Sequence, residues 1–277
     1  MNKLPIKKKA HLIQLIAEGN SLRSCSRIAD VSFNTVLKLL VDVGKACIKF
    51  HSQTVVQVRS QRVQCDEIWS FVYSKNKNTP EGAKGIGDMW TWTAMDADSK
   101  LLISWYVGDR SLESARFLMN DLWCRLRTRV QLTTDGFPAY VEAVADTFGG
   151  KVDFGQVVKQ YKANQPDKKG KVIKAERYVG AERRVISGQP DKTKISTSHI
   201  ERQNMTIRMT NRRYTRDVDA FSKKYENHCY ATALNFVYYN FVRIHKTLRV
   251  TPAMESKLVK KPMTFEEIAN LVDNFSK

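Results

Sequence analysis

The chain has 277 residues, 42% of them hydrophobic, enough for one substantial core and a smaller module beside it. Its formal net charge of +18 is spread over every segment, which points to a polyanionic partner, with an anionic membrane surface as the weaker competitor. Cys25, Cys47, Cys65, Cys124 and Cys229 are scattered and never form Cys-x-x-Cys, arguing against a disulfide framework or a zinc site. No apolar run approaches the roughly 18 to 20 residues of a membrane span, so the expectation is a cytoplasmic protein with no membrane partner.

Residues 5–48 carry three helical patterns. Leu12, Ile13, Leu15 and Ile16 form the first apolar stripe, which Gly19-Asn20 ends. Leu22, Cys25 and Ile28 mark a short second helix, and Ser32 caps a third whose apolar positions are Val36, Leu39, Leu40 and Val43. With a tight turn at Asp30-Val31-Ser32, this is a helix-turn-helix arrangement, expected as a small all-α DNA-binding domain over 1–49. Phe33, Asn34, Thr35 and Lys38, near the start of the reading helix, would be aimed at base edges or phosphates. Nine Lys and Arg against three Asp and Glu in this region favour DNA over a bundle used for packing or dimerisation. The polar stretch 50–61 reads as a linker.

Beyond it the pattern becomes β. Val63–Val72, Met89–Met95 and Leu101–Val107 form an antiparallel meander, with a basic turn region over 74–87 and a tight turn at Asp96–Ser99. Because strand side chains alternate, Asp66 and Glu67 point to opposite faces and only one belongs to a given site; the alternative is an exposed edge carrying both. Asp96 and Asp98 are turn formers. Ser111 opens a helix to Arg127. Val130–Thr134 is a short strand ending at Thr134-Asp135-Gly136, with a helix over 138–148 after it. An acid at that position lies where mixed α/β sheets hold ligands and metals, though Asp135 equally suits a helix cap. Val152–Val158 supplies a fifth strand. Residues 159–195 hold eleven Lys and Arg against four Asp and Glu, and read as an irregular basic hairpin for a nucleic-acid backbone or for solvent.

Thr197–Tyr214 reads as a helix on which Glu201, Asn204, Met205 and Arg208 share one face, with Arg212 further on. A long helical pattern then runs through Phe241, with His228 and His245 as packing residues. A C-terminal helical tail over 256–277 contains a helix capped by Thr264 and Glu267. The expected architecture is α/β, a mixed five-stranded sheet with flanking helices behind the helix-turn-helix domain. On it Asp66, Asp135 and Glu201 could converge on one edge. Three such acids in a basic protein suit two Mg²⁺ ions, which would activate a hydroxyl and stabilise the leaving oxygen of a phosphoryl transfer.

Asp66-Glu67-Ile68-Trp69, Thr134-Asp135-Gly136, His199-Ile200-Glu201-Arg202-Gln203-Asn204, and Tyr239-Asn240-Phe241 through Thr251-Pro252-Ala253 resemble the motifs of bacterial insertion-sequence transposases of the insertion-element-one type. The resemblance implies an RNase H-like DDE catalytic domain over 62–255, in which Asp66, Asp135 and Glu201 are the catalytic, metal-binding triad for Mg²⁺, with Mn²⁺ as a substitute. It further implies hydrolysis at the ends of an element, then attack of the freed 3′-hydroxyl on target DNA. Arg202, Asn204, Arg208 and Arg212 would grip double-stranded DNA, and the protein would act as a homodimer or higher oligomer on the nucleoid. Two other readings remain open at this level: a catalytically idle DNA-binding repressor, and an RNase H-like nuclease without strand transfer.

Overall fold

The computed structural model describes residues 4–82, 84–162 and 177–275. Its centre is a six-stranded mixed sheet with helices on both faces, an α/β architecture. The strands are β1 (Arg62–Val72), β2 (Gly87–Asp96), β3 (Leu102–Gly108), β4 (Gln131–Asp135), β5 (Asp153–Lys162) and β6 (Arg177–Ser187), in the order β3-β2-β1-β4-β5-β6. The meander β1-β2-β3 and the pair β5-β6 are antiparallel, whereas β1-β4 and β4-β5 are parallel. The sixth strand corrects the expectation of five. It lies in the stretch read as an irregular basic hairpin, because an edge strand carrying Gly180, Arg183 and Arg184 lacks the apolar alternation that marks a half-buried one. Residues 163–176 of that excursion lie outside the described residues.

The helices are α1 (Ile6–Ala17), α2 (Leu22–Ile28), α3 (Phe33–Thr54), α4 (Leu112–Arg125), α5 (Ala139–Phe148), α6 (Ser198–Thr210), α7 (Tyr225–Val237), α8 (Pro252–Glu255) and α9 (Phe265–Phe275). None is long and apolar enough to cross a membrane among the described residues. Caps fall where the residue types dictate: Ser32 accepts from the Thr35 amide, Ser111 from that of Ser114, and Thr264 and Glu267 exchange bonds in a capping box.

The third helix does not stop at 49. It continues to Thr54, and Val55 and Val58 beyond it are buried, Val58 exchanging backbone bonds with Arg125 and Arg127. The stretch read as a linker is therefore partly helix and partly packed chain; its polar composition conceals two valines that reach the core. Helix α3 lies against α7 and α1 against α9, and Lys9 bonds Asp273 at 2.7 Å. Leu12, Ile13, Leu40 and Val43 belong to the same buried cluster as Trp92, Leu118, Leu132 and Phe154.

After α7 a π-helical turn, Tyr238–Val242, brings Asn240 against the edge strand β3. Its amide accepts from the Leu102 N–H and donates to the Leu102 carbonyl, closing an exposed strand end. Thr251 caps α8, with Pro252 at its first turn. Two motif segments thus have a clear role in building the fold.

Two histidines are buried as neutral rings. Burial lowers His51 and His228 from about 6.5 to about 3, with nearby arginine charge adding to the effect. Between those values the unfolded chain binds protons that the folded chain refuses. Stability should fall as pH drops through that window, by up to about 1.4 kcal/mol per pH unit for each histidine. Denaturant titrations of the wild type and His228→Gln should diverge below pH 6.5 at that slope; parallel curves would refute the assignment.

A candidate metal centre at the sheet edge

The alternation of β1 builds the site. Gln64, Asp66 and Ile68 face α6, while Cys65 and Glu67 face the α4/α5 side. Helix α6 is held on its face by Ile200 and Ile207, which pack with Ile68 in one buried cluster. Its start is fixed by Gln64, whose side-chain oxygen accepts from the amides of His199 and Ile200 at 3.0 and 3.1 Å. The parallel register pairs Gln64 with Thr133, and two residues further along each strand come Asp66 and Asp135.

Asp66, Glu67 and Asp135 each offer a carboxylate oxygen within 4.8 Å of the others, a group able to hold a metal ion. Asp66 accepts from the Glu67 amide at 3.0 Å and from the Asn204 side chain at 2.8 Å. Asp135 accepts from the Phe137 amide at 3.0 Å. Burial, together with the charges of Glu67 and Asp135, pushes the Asp66 carboxyl up to about 7. Asp135 is raised by burial, against the Phe137 amide and the charges of Arg110 and Lys159. Such a cluster of acids is short of positive charge.

The presence of Glu67 departs from the expectation that strand alternation excludes it. It does leave the opposite face, where Arg110 donates at 2.9 Å and Tyr140 at 3.1 Å, but its longer side chain still brings an oxygen to the cluster. Arg110 is sandwiched between the rings of Trp90 and Phe137 at 4.7 and 4.3 Å. Burial and Asp135 raise the Glu67 carboxyl, opposed by Arg110 and Tyr140.

Glu201 stands in the first turn of α6, near enough for its charge to raise both Asp66 and Asp135. Its carboxylate is bound by Thr197 at 2.6 Å and by Lys159 at 2.9 Å, and it lies outside the group formed by the other three acids. Burial is the largest influence on the Lys159 ammonium group and lowers it, but the bond and charge of Glu201 together with the charges of Tyr161 and Asp66 raise it overall.

Solved structures similar to this chain include transposase complexes. The Mos1 transposase paired-end complex with left transposon end is 15% identical with a TM-score of 0.24, over 54% of this chain and 58% of that one. The Mos1 strand transfer complex is 17% identical with a TM-score of 0.22, over 54% and 57%. The Mos1 mariner paired end complex with Mn is 14% identical with a TM-score of 0.23, over 56% and 60%. The chain thus matches less than two thirds of the length of each. No family model and no curated protein matches it.

Of the residues expected to grip DNA, Asn204 is buried on Asp66 and Arg202 is exposed on the far side of α6. Arg208 is half-buried near Asp66 and donates to the Tyr214 carbonyl at 3.2 Å. Burial and Arg216 lower its guanidinium, while Asp66 opposes them. The helix ends at Thr210, shorter than the expected run to Tyr214, because the Asn211 side chain accepts from the Arg213 amide and starts a separate turn carrying Arg212. Arg212 is exposed there. Phe33, Asn34 and Lys38 are exposed at the start of α3, and Thr35 is half-buried against Ser32. Sequence reasoning missed Gln64, Arg110, Tyr140 and Lys159 as site residues. Only Gln64 carried a signal, its two-residue offset from Asp66 on one strand face.

Proposed function

We propose that the chain is a DNA transposase of the RNase H-like DDE class, with Asp66, Asp135 and Glu201 as its catalytic acids and the start of α3 as a DNA-reading element. The convergence of Asp66 and Asp135 at adjacent strand positions, with Glu201 on the helix above, carries this reading. The donor set fits a hard divalent cation. Carboxylate oxygens are the ligands Mg²⁺ and Mn²⁺ favour, and the Asn204 side-chain oxygen is buried beside Asp66 with no hydrogen-bond partner. Asp66, Asp135 and Glu201 would hold the metal, while Glu67 is retained by Arg110 and Tyr140 and braces the strand. Bound there, a divalent ion supplies charge neutralisation and activation for displacement at phosphorus. Asn204 orients the Asp66 carboxylate, and Arg208 sets a positive charge near the same acid for a DNA strand. The net charge of +18 suits a double-stranded DNA partner, at element ends and at target, with two or more copies of the chain acting together.

The test is purified protein with Mg²⁺ and a duplex carrying the inverted repeats that flank its gene. Cleaved and joined strands are expected. Tight binding without cleavage would favour a repressor, and cleavage without joining a simple nuclease. Lys159 already provides Glu201 with a cation, so Lys159→Met should tighten Mn²⁺ binding by about three- to tenfold, whereas Lys159→Arg should not. Equal Mn²⁺ affinities by electron paramagnetic resonance for wild type and Lys159→Met would remove that competition.

A further inference from the structure

The face of α6 opposite Glu201 lines a cleft of about 480 Å³ between that helix and the loop after the π turn. Lys100, His199, Arg202, Arg243, His245 and Lys246 contribute to its wall, and no Asp or Glu does. Asp98, close to Lys100 in the chain, is held by Arg62. The loop is built to hold its shape: the His245 amide donates to the Val250 carbonyl at 3.0 Å, the Arg249 amide to the His245 carbonyl at 2.9 Å, and Thr251 then caps α8.

Four of these groups, Lys100, Arg202, Arg243 and Lys246, are cations that repel one another across the cavity, and an anion between them removes that cost. The His245 Nδ1 is buried without a hydrogen-bond partner. The donors lining the cavity are the Arg and Lys groups that pair with phosphate oxygens.

We propose that this cleft is a second DNA-binding site, which takes the phosphate backbone of a duplex on the side of α6 away from the acids. The inference rests on the transposase reading in naming DNA as the anion. It gives the segment 243–247 a binding role beside the structural roles of Asn240 and Thr251. The acids and the basic cleft lie on opposite faces of the same helix, so DNA held in the cleft would leave the acid face free for a second segment.

The test uses the full chain and a short unmodified duplex, with anisotropy titrations across a range of NaCl concentrations. The exposed pair Arg243→Gln/Lys246→Gln should reduce the slope of log K against log salt by about 1.8, at about 0.9 per phosphate contact, and weaken binding by about tenfold. A control pair, Lys151→Gln/Lys260→Gln, removes the same charge from exposed positions away from the cleft and should change the slope by less than half as much. The charge-keeping pair Arg243→Lys/Lys246→Arg should preserve the wild-type slope. Equal losses in the cleft and control pairs would overturn the proposal, as would a full loss in the charge-keeping pair. Mn²⁺ titration of the same proteins reports on the acids independently. If metal uptake is absent while the cleft slope falls as stated, the transposase reading fails and the cleft stands; normal metal uptake with an unaltered cleft slope sinks the cleft alone.

Discussion

Asp66→Asn is expected to abolish metal-dependent DNA cleavage, by about 10³-fold or more, while leaving duplex affinity within about threefold of wild type. Asp66 meets Asn204 on one side, the Glu67 amide on the other, and the oxygens of Glu67 and Asp135 in front. Asparagine can still accept one of those hydrogen bonds, but it brings no negative charge to a divalent ion. The fold should survive the change. Asp66 is one of three acids crowded together, so removing its charge relieves repulsion, and the thermal midpoint without metal should be unchanged or raised. Cleavage assays, anisotropy and thermal melts on the same preparation check all three expectations. Substantial cleavage by Asp66→Asn would remove the residue from the catalytic set, and a collapsed thermal midpoint would make it structural. Asp135→Asn and Glu201→Gln should behave alike in cleavage.

Gly44→Ala should destabilise the protein by about 3 kcal/mol or more, lowering the thermal midpoint by about 10 °C. Helix propensity alone predicts the opposite sign, since alanine in a helix interior is favoured over glycine by about 1 kcal/mol. The deciding fact is the approach of α7: a Cβ on Gly44 would stand 2.2 Å from the Tyr230 Cβ and 2.6 Å from its Cα, so relief requires moving backbone. The helices must separate, and α3 carries the candidate DNA-reading residues at its other end. Gly44→Ala should therefore also weaken the coupling between DNA binding and cleavage. A melt showing stabilisation would rule out the close crossing of α3 and α7.

Much of this architecture was legible in the chain. The stripes of α1 and α3, the meander β1-β2-β3, the caps at Ser32, Ser111 and Thr264 and the acid at the end of β4 all follow from periodicities and capping chemistry spanning a few residues. The sixth strand was not legible, because an edge strand is paired on one side only and needs no apolar alternation. The end of α3 was misread for a related reason: the polar residues after 49 outnumber Val55 and Val58, yet those two determine where the chain packs.

At the site the division is sharper. Sequence by itself placed Asp66 and Asp135 on strands and Glu201 on a helix beside Asn204, and its charge of +18 pointed to a polyanionic partner. Each of these is local chemistry or composition. Tertiary structure alone decided that Glu67 joins the acids across the strand, that Lys159 on β5 pairs with Glu201, and that residues 199–206 and 243–247 enclose one basic cleft. Those contacts join segments far apart in the chain, and their geometry depends on register, sheet order and helix docking, which no local periodicity encodes.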